Sequence, residues 1–301
     1  MITIIIPTRN REKELTNLLQ SLTVIKTLID EIIIVDSSDS NSHNLNGFNK
    51  YKINYHHTNI KSAAIQRNIG MALVNENCKL LAFLDDDVLP GEEYFNQLSN
   101  VLTENNAIGV SGLAINYNKS EKNGRNKLAT LYRQIFLLDS KIQGIVLKSG
   151  VNVPIKCEEN LSKIAKSQWL IGCALWDYQK IKELRFDTRL FGQSLGEDVI
   201  FSLKASKIGP LFVNAGVRLD HTESTIERPN HFDFYRMWVR NRYYIVKELS
   251  SNKYQPAFHW CNFGKSIILF ILIMKNPIQS LNSLTGMLYG YFDLVREVNA
   301  H

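Results

Sequence analysis

Three consecutive aspartates, Asp85, Asp86 and Asp87, follow an apolar, strand-like run at residues 80–84. Adjacent carboxylates repel one another unless a cation, or a ligand that carries one, neutralises them. Mg²⁺ and Mn²⁺ prefer carboxylate oxygens and often share themselves with substrate phosphates. Because side chains alternate along an extended backbone, Asp85 and Asp87 share a face and Asp86 points elsewhere. The triad favours a metal–diphosphate site at the carboxyl end of a strand over the alternative, a solvated acidic turn before residues 88–91.

Other residues along the chain suit the same chemistry, and each also has a purely structural interpretation. Asp36 ends a strand-like run, where it can bind a base or ribose or belong to the serine-rich turn after it. Arg67 suits phosphate, although a solvated helix face explains it as well. Glu197 and Asp198 open a helix, where acids also favour the helix dipole. His221 follows a strand-like stretch, and a lone histidine is more often a core or surface residue than a metal ligand.

The composition limits the class of protein. The chain has 301 residues, of which 45% are hydrophobic and 21% charged, as expected for one large domain or one domain with an extension. The net charge of +6 is too small to indicate nucleic acid, and the basic cluster is confined to the C-terminal segment. Four scattered cysteines favour a reduced, cytoplasmic protein. No secretory signal is visible, and no apolar run reaches the roughly 18–20 residues of a membrane-spanning helix.

Strand and helix patterns alternate in the first third of the chain and become less regular after it. Apolar runs predict strands at residues 2–6, 31–35, 54–57, 80–84, 107–115 and 211–214. Apolar periodicity predicts helices at residues 12–22, 62–74, 177–184 and 198–207, and a polar stretch at 116–126 predicts a loop. The βαβαβ order of the first third predicts a parallel sheet with right-handed crossovers, and the fold class is therefore α/β.

These features, in this order, resemble the glycosyltransferases of family 2, which have the GT-A fold. The resemblance rests on the first strand with its turn, Asp36, the Arg67-Asn68-x-Gly70 motif, the Asp85-x-Asp87 motif, Trp169–Ala174, Phe186–Gly192 and Gly196-Glu197-Asp198. It departs from the family where Ile171 replaces the first glycine of a usual pair, and where the turn after Asp36 is shorter than the commoner one.

The resemblance covers residues 1–224 and implies a Rossmann-like, mostly parallel sheet flanked by helices. The catalytic domain would span residues 1–230, with a nucleotide-sugar half at 1–115 and an acceptor half at 116–230. A helical C-terminal extension would follow at residues 231–301.

The resemblance also implies a role for each matching residue. The nucleotide would be bound by Pro7, Thr8, Arg9, Asp36, Arg67, Asp85 and Asp86. A Mn²⁺ or Mg²⁺ ion would be bound by Asp85, Asp87 and His221. Asp198 would be the general base, with Glu197 beside it. The acceptor side would include Trp169, Gly172 and Cys173.

These roles define a displacement at the sugar. A positioned carboxylate that takes the proton of an acceptor hydroxyl contributes about 10²–10⁴-fold to the rate, and a cation neutralises the departing diphosphate. A base on one face and a leaving group on the other invert the anomeric configuration. We therefore predict an inverting transferase with a UDP, dTDP or GDP sugar as donor. The acceptor would be a glycan or lipid-linked glycan, in bacterial surface polysaccharide or O-antigen synthesis.

Two other classes stay open. A nucleotidyl or phosphoryl transferase on the same fold would normally show a Gly-rich phosphate loop, which is missing here. A catalytically degenerate, membrane-associated assembly partner would lack the acids, yet Asp87 and Asp198 are present.

The segment at residues 231–301 differs in character from the rest of the chain. Basic and aromatic residues alternate around a short apolar run, and helical spacing places Arg236, Arg240 and Lys247 on one face. Such a pattern suits an anionic membrane surface. The alternative is a helical subdomain that packs on the catalytic core or on a second subunit. We expect either peripheral contact with the cytoplasmic face of the inner membrane or a homo-oligomer.

Overall fold

The structure, a computed structural model, describes residues 2–40, 48, 50–115, 127–156, 163–190, 194–222, 226, 229–250 and 253–299. The chain forms two compact units. The first comprises Met1–Asn123, Ile155–Gly192 and Glu197–Glu227. The second comprises Gly124–Pro154, Gln193–Gly196 and Arg228–His301. Residues 124–154, which the sequence analysis assigned to the acceptor half, therefore group with the C-terminal segment. The loop predicted at residues 116–126 lies outside the described residues.

The first unit is a sheet flanked by helices. Its strands are β1 (Ile2–Thr8), β2 (Ile29–Asp36), β3 (Lys52–His57), β4 (Leu80–Phe83), β5 (Val88–Pro90), β6 (Gly109–Ala114), β7 (Ile164–Ser167), β8 (Ala174–Asp177) and β9 (Leu211–His221). The helices of the chain are α1 (Glu12–Leu22), α2 (Ala63–Leu73), α3 (Tyr94–Glu104), α4 (Lys127–Ile135), α5 (Tyr178–Ile181), α6 (Glu197–Ser206), α7 (His231–Ser250), α8 (Gln255–Leu272) and α9 (Pro277–Asn299). Helices α4, α7, α8 and α9 belong to the second unit.

The strand order is β3-β2-β1-β4-β8-β6-β9-β5, and β7 also pairs with β9. The first four strands are parallel, as the alternation of strands and helices predicts. β8 runs antiparallel to β4 and β6, and β5 and β7 run antiparallel to β9. β6 and β9 run parallel, so six of the nine strands described for the sheet share one direction. The sheet is therefore mostly parallel, as predicted, and its antiparallel strands β5, β7 and β8 all come after β4, where the repeating βαβ pattern ends.

The first strand shows why the sheet is covered on both faces. Every residue of β1 is buried, which is typical of a central strand in an α/β sheet. Ile4 and Ile6 pack with Leu18 of α1 in one hydrophobic cluster, whereas Ile5 packs with Met71 of α2 in the other. The helices that connect the parallel strands therefore lie on opposite faces and leave the carboxyl ends of the strands open.

Strand register brings the chemically suited residues to one edge of the sheet. Thr8 and Asp36, the last residues of β1 and β2, are paired. Ile5 pairs with Phe83 at the end of β4, so Asp85 follows that strand at the same edge. The carboxyl edge of a parallel sheet is where open α/β folds bind their ligands.

Two elements differ from the sequence prediction in length. The strand predicted at residues 211–214 continues as β9 to His221, because its second half pairs with β5 and β6. The helix predicted at residues 177–184 is reduced to the single turn α5, since Asp177 belongs to β8 and the helix already ends at Ile181.

In the second unit, α7 and α9 run side by side in the same direction. Arg236 pairs with Asp293, and Arg240 pairs with Glu297 one turn further along both helices. Gly290 permits this close approach, because a Cβ there would lie 2.7 Å from the carbonyl oxygen of Arg236. None of the helices in the described part of the chain is both long and apolar enough to cross a membrane.

The basic face predicted on α7 is not a solvated surface. Arg240 is buried, and both Arg236 and Arg240 are neutralised by acids of α9. Arg242 is also buried, where it donates to the carbonyl oxygen of Ser149 and lies over the ring of Trp238. These guanidinium groups stabilise the helical unit, so the charge argument for membrane contact cannot use them.

Candidate active site

The acidic triad does not divide as strand alternation predicts, because Asp86 and Asp87 lie in a turn after β4. Asp85 keeps 40% of its side chain exposed at the edge of the sheet. Asp86 is buried, and its carboxylate accepts hydrogen bonds from the Thr8 hydroxyl at 2.7 Å and from Arg11 Nη1 at 2.8 Å. Asp87 is also buried, but its Oδ1 lies 3.2 Å from His221 Nε2. Arg11 Nη1 contacts both Asp86 and Asp87. These two carboxylates therefore share one buried environment, whereas Asp85 is exposed and pairs with Arg67.

Burial dominates the electrostatics of Asp86. Desolvation raises its pKa to about 6, although Arg11 and the Thr8 hydroxyl favour the charged form. The buried Asp86 carboxylate joins the acidic triad to Thr8 and Arg11.

The chain brings His221 to Asp87 through strand pairing. β5 follows the triad directly and pairs antiparallel with the end of β9, so that Val88 lies opposite His221. The backbone N–H and the hydroxyl of Thr222 both donate to the carbonyl oxygen of Asp87 at 2.9 Å. These contacts fix two candidate metal ligands side by side, although they are far apart in sequence.

Each residue of the Arg67-Asn68-x-Gly70 motif has a separate contact. Arg67 is buried and forms ion pairs with Asp85 and Glu197. The Asn68 side chain hydrogen-bonds the backbone of Phe186. Its Nδ2 donates to the Phe186 carbonyl oxygen at 2.9 Å, and its Oδ1 accepts from the Phe186 N–H at 2.8 Å. A Cβ at Gly70 would lie 2.5 Å from a side-chain carbon of Ile5, so only glycine lets α2 approach β1 this closely. The motif therefore holds Asp85, Glu197 and the backbone of Phe186 in position relative to α2.

Glu197 and Asp198 form the first turn of α6, where the helix dipole favours negative charge. Glu197 is buried against Arg67, whereas Asp198 is half-buried. Asp198 Oδ1 accepts a hydrogen bond from the Val199 N–H at 2.8 Å. Desolvation raises the pKa of Asp198 to about 6, against the lowering effects of that bond and of Arg67. A carboxylate with this pKa can accept a proton near neutral pH.

Asp36 is fully buried at the end of β2 and already has partners for both carboxylate oxygens. Oδ1 accepts from the N–H and the hydroxyl of Ser38, and Oδ2 accepts from the Tyr55 hydroxyl at 2.6 Å. Burial, followed by this hydrogen bond, raises the pKa of Tyr55. The turn after Asp36 is thus closed by Ser38, in agreement with its short sequence.

The three residues predicted to bind the nucleotide at the end of β1 differ in exposure. Pro7 and Thr8 are buried within β1. Gln66 Nε2 donates to the carbonyl oxygens of Thr8 at 2.8 Å and Val35 at 2.7 Å, which joins the ends of the two strands. Arg9 is partly exposed, and its Nη2 lies 3.4 Å from Asp39 Oδ2.

The three predicted acceptor residues occupy different environments. A Cβ at Gly172 would lie 3.2 Å from Arg67 Nη2 and 3.3 Å from Asp85 Oδ2, so a side chain there would crowd the site. Cys173 is buried; its Sγ accepts from the Asp85 N–H at 3.5 Å, and burial raises the pKa of its thiol. Trp169 is buried as well. Gly172 is therefore the member of this group that lines the acidic cluster.

Three site residues were missed by sequence reasoning. Arg11 forms ion pairs with Asp86 and Asp87. Gln66 hydrogen-bonds the ends of β1 and β2, and the Tyr55 hydroxyl donates to Asp36. Arg11 follows the turn after β1, and the resemblance assigns a role there only to Pro7, Thr8 and Arg9. Gln66 gave no signal beyond its position next to Arg67.

A mixed sheet with a parallel first half and an acidic cluster at its carboxyl edge defines the GT-A class of fold. The crystal structure of S. aureus TarS 1-349 is similar, with a TM-score of 0.55 and 17% identity over 96% of this chain and 80% of that chain. The same protein in complex with UDP-GlcNAc has a TM-score of 0.56 and 15% identity over 96% and 81%. The complex with UDP has a TM-score of 0.51 and 16% identity over 85% and 69%.

The sequence comparison identifies the family. The Glycosyl transferase family 2 model matches residues 3–158, which is just over half of the chain. A search of curated proteins gave no match. The chain belongs to glycosyl transferase family 2, and it is a glycosyltransferase that uses a nucleotide sugar.

Proposed function

We propose that this protein is an inverting glycosyltransferase that transfers a sugar from a nucleoside-diphosphate sugar to an acceptor hydroxyl, with Asp198 as the general base. The observation that carries the proposal is the buried Arg67, which pairs with Asp85 of the acidic triad and with Glu197 beside Asp198. The group that would contact the donor and the group that would activate the acceptor therefore belong to one ion-pair cluster. In-line displacement needs these two groups on opposite sides of one reacting carbon.

The donor would bind at the carboxyl edge of β1, β2 and β4. Asp36 would bind the base or the ribose, and Pro7, Thr8 and Arg9 would line the same pocket. The hydrogen bond between Tyr55 and Asp36 would have to open, or recognition would pass through the serine turn. UDP-GlcNAc is the first donor to test, because the similar TarS structure was determined in complex with it.

The residues present fit a divalent cation. In the portion that the structure describes, no three His, Cys, Asp or Glu side chains form a metal cage of their own. Mg²⁺ commonly takes only one or two carboxylates from the protein and completes its coordination with water and substrate phosphates. Asp87 and His221 would hold the ion, with the exposed Asp85 beside them. When bound, Mn²⁺ or Mg²⁺ neutralises charge on the departing diphosphate.

Asp198 would take the proton from the acceptor hydroxyl as the new bond forms. Its half-buried position leaves the carboxylate reachable, and its pKa of about 6 keeps most of it ionised at pH 7. Arg67 would hold Glu197 and Asp85 in fixed positions on either side. Gly172 would leave space for the reacting groups next to that cluster.

The acceptor would be a glycan or a lipid-linked glycan in bacterial surface polysaccharide or O-antigen synthesis. The anomeric outcome tests the mechanism. The protein would be incubated with Mn²⁺, UDP-GlcNAc and a panel of alkyl glycosides, with GDP and dTDP sugars in parallel, and the new linkage assigned by NMR. A donor with an axial bond to phosphate should give an equatorial product. A product that keeps the axial configuration would overturn the assignment of Asp198 as base for a single displacement.

A further inference from the structure

Exposed large apolar side chains are concentrated in the second unit. Among the described residues, 24 large hydrophobic side chains are exposed, and 18 of them belong to the second unit, which is the smaller of the two. Scattered apolar side chains are normal on a protein surface, but extensive clusters mark interaction sites. The second unit therefore carries a surface that needs a partner.

The highest exposures occur where α8 ends and α9 begins. Phe270 is 70% exposed, Ile271 63%, Met274 90% and Ile278 76%, and Leu272 between them is also exposed. We call these five residues the apolar tip. They occupy the last turn of α8, the connection, and the first turn of α9.

The apolar tip is exposed on several sides at once. Phe270, Ile271 and Leu272 are consecutive, and consecutive side chains on a helix point about 100° apart. A single partner helix covers one stripe of residues spaced three and four apart, and it leaves the other sides in water. An isotropic apolar medium surrounds a helix end from all sides. The distribution of exposure therefore favours lipid over a second protein chain.

The chain segment that contains the apolar tip carries charges of one sign. Residues 255–292 contain no aspartate or glutamate, and their only formally charged side chains are Lys265 and Lys275. The next acids, Asp293 and Glu297, are paired with arginines of α7. An apolar segment whose charged residues are all basic complements a bilayer with anionic headgroups.

We propose that the apolar tip inserts into the boundary between headgroups and acyl chains of an anionic phospholipid bilayer. Apolar side chains of interfacial helices reach about 5–10 Å into this boundary. Lys275 lies within the tip, and its long side chain reaches the phosphate level while its methylene groups stay in apolar surroundings. This contact uses neither the basic residues of α7 nor a membrane-spanning helix, and it does not depend on the transferase activity.

Vesicle flotation tests the proposal directly. The full chain would be mixed with vesicles of phosphatidylcholine alone and of phosphatidylcholine with phosphatidylglycerol. The tip variant Phe270→Glu/Met274→Glu would be compared with a control, Val24→Glu/Leu28→Glu, whose two residues are similarly exposed in the first unit. Both variants add the same charge at exposed sites, and circular dichroism would verify their folding.

We expect the wild type and the control to float with the anionic vesicles, and the tip variant to bind at least about tenfold less. Binding should also weaken at high salt, because the headgroup attraction is screened. Equal loss in both variants, or full binding by the tip variant, would overturn the proposal. So would sedimentation velocity data in which the wild type dimerises without lipid and the tip variant does not, because the surface would then serve a second copy.

Discussion

Replacing Asp198 by asparagine should separate the chemistry of the site from its stability. The substitution keeps the shape of the side chain and its hydrogen bond from the Val199 N–H, but it removes the group that accepts the proton. We expect kcat to fall by about 10²–10⁴-fold, the usual contribution of a general base. In the wild type, kcat/KM should rise as pH passes through about 6, because only the ionised Asp198 can act.

The same substitution should stabilise the protein, and more so at high pH. Asp198 has a pKa of about 6 in the folded protein against 3.8 for an unperturbed aspartate, so ionising it costs folding free energy. Because the pKa of Asp198 is higher in the folded protein than in the unfolded chain, its protonated form stabilises the fold. This stability is fully present below pH 3.8 and is lost as the pH rises through about 6. The cost of the ionised group reaches about 3 kcal/mol at pH 8 as an upper figure, because the side chain is only half-buried, and it falls to about half of that at pH 5.

Thermal unfolding at pH 8 and pH 5 measures the difference in stability between the Asp198→Asn variant and the wild type. Asp30→Asn is the matched control. Asp30 is exposed on β2, so its replacement changes the net charge equally without relieving burial. The Asp198→Asn variant should melt several degrees above the wild type at pH 8 and less so at pH 5, while the control stays within one degree of the wild type at both. An active variant, or a stabilisation that is equal at both pH values, would refute the roles assigned to this carboxylate.

Three further substitutions test other parts of the site. Asp87→Asn should abolish the metal-dependent part of any thermal shift caused by a nucleoside diphosphate, and an unchanged shift would remove Asp87 from the ion's ligands. Asn68→Ala leaves the N–H and carbonyl of Phe186 without their side-chain partner, so the free energy of unfolding should fall by about 2–3 kcal/mol in urea titration. Gly70→Ala places a Cβ 2.5 Å from Ile5 and should cost about 1–3 kcal/mol by the same titration. A neutral effect at either position would contradict the packing described.

The first half of the fold could be predicted because its signals are local. Continuous apolar runs mark β1, β2 and β4 as buried parallel strands, and polar residues at their ends must meet at one edge. The alternation of side chains along a strand did not describe the acidic triad, because Asp86 and Asp87 lie in a turn and both contact Arg11. The family resemblance then supplied Asp198 and His221.

The remainder depends on contacts between distant segments. His221 reaches Asp87 only because β9 is longer than its apolar core suggests and pairs with β5. The ion pairs of α7 could not be assigned, because Asp293 and Glu297 lie more than fifty residues further along the chain and reveal their partners only when the helices are side by side. Arg11 likewise gave no signal of its own, since its partners follow a different strand.

Thermal shifts with UDP, GDP and dTDP, each with and without Mn²⁺, test the central claim most directly. A ligand present at 100 times its dissociation constant stabilises a protein by about 2.7 kcal/mol, which is easily resolved in a melting curve. The account predicts a Mn²⁺-dependent rise in melting temperature with one of the three nucleotides, and that nucleotide names the donor class. The absence of any rise with all three, in the presence of Mn²⁺, would contradict the assignment of the acidic edge as a donor site.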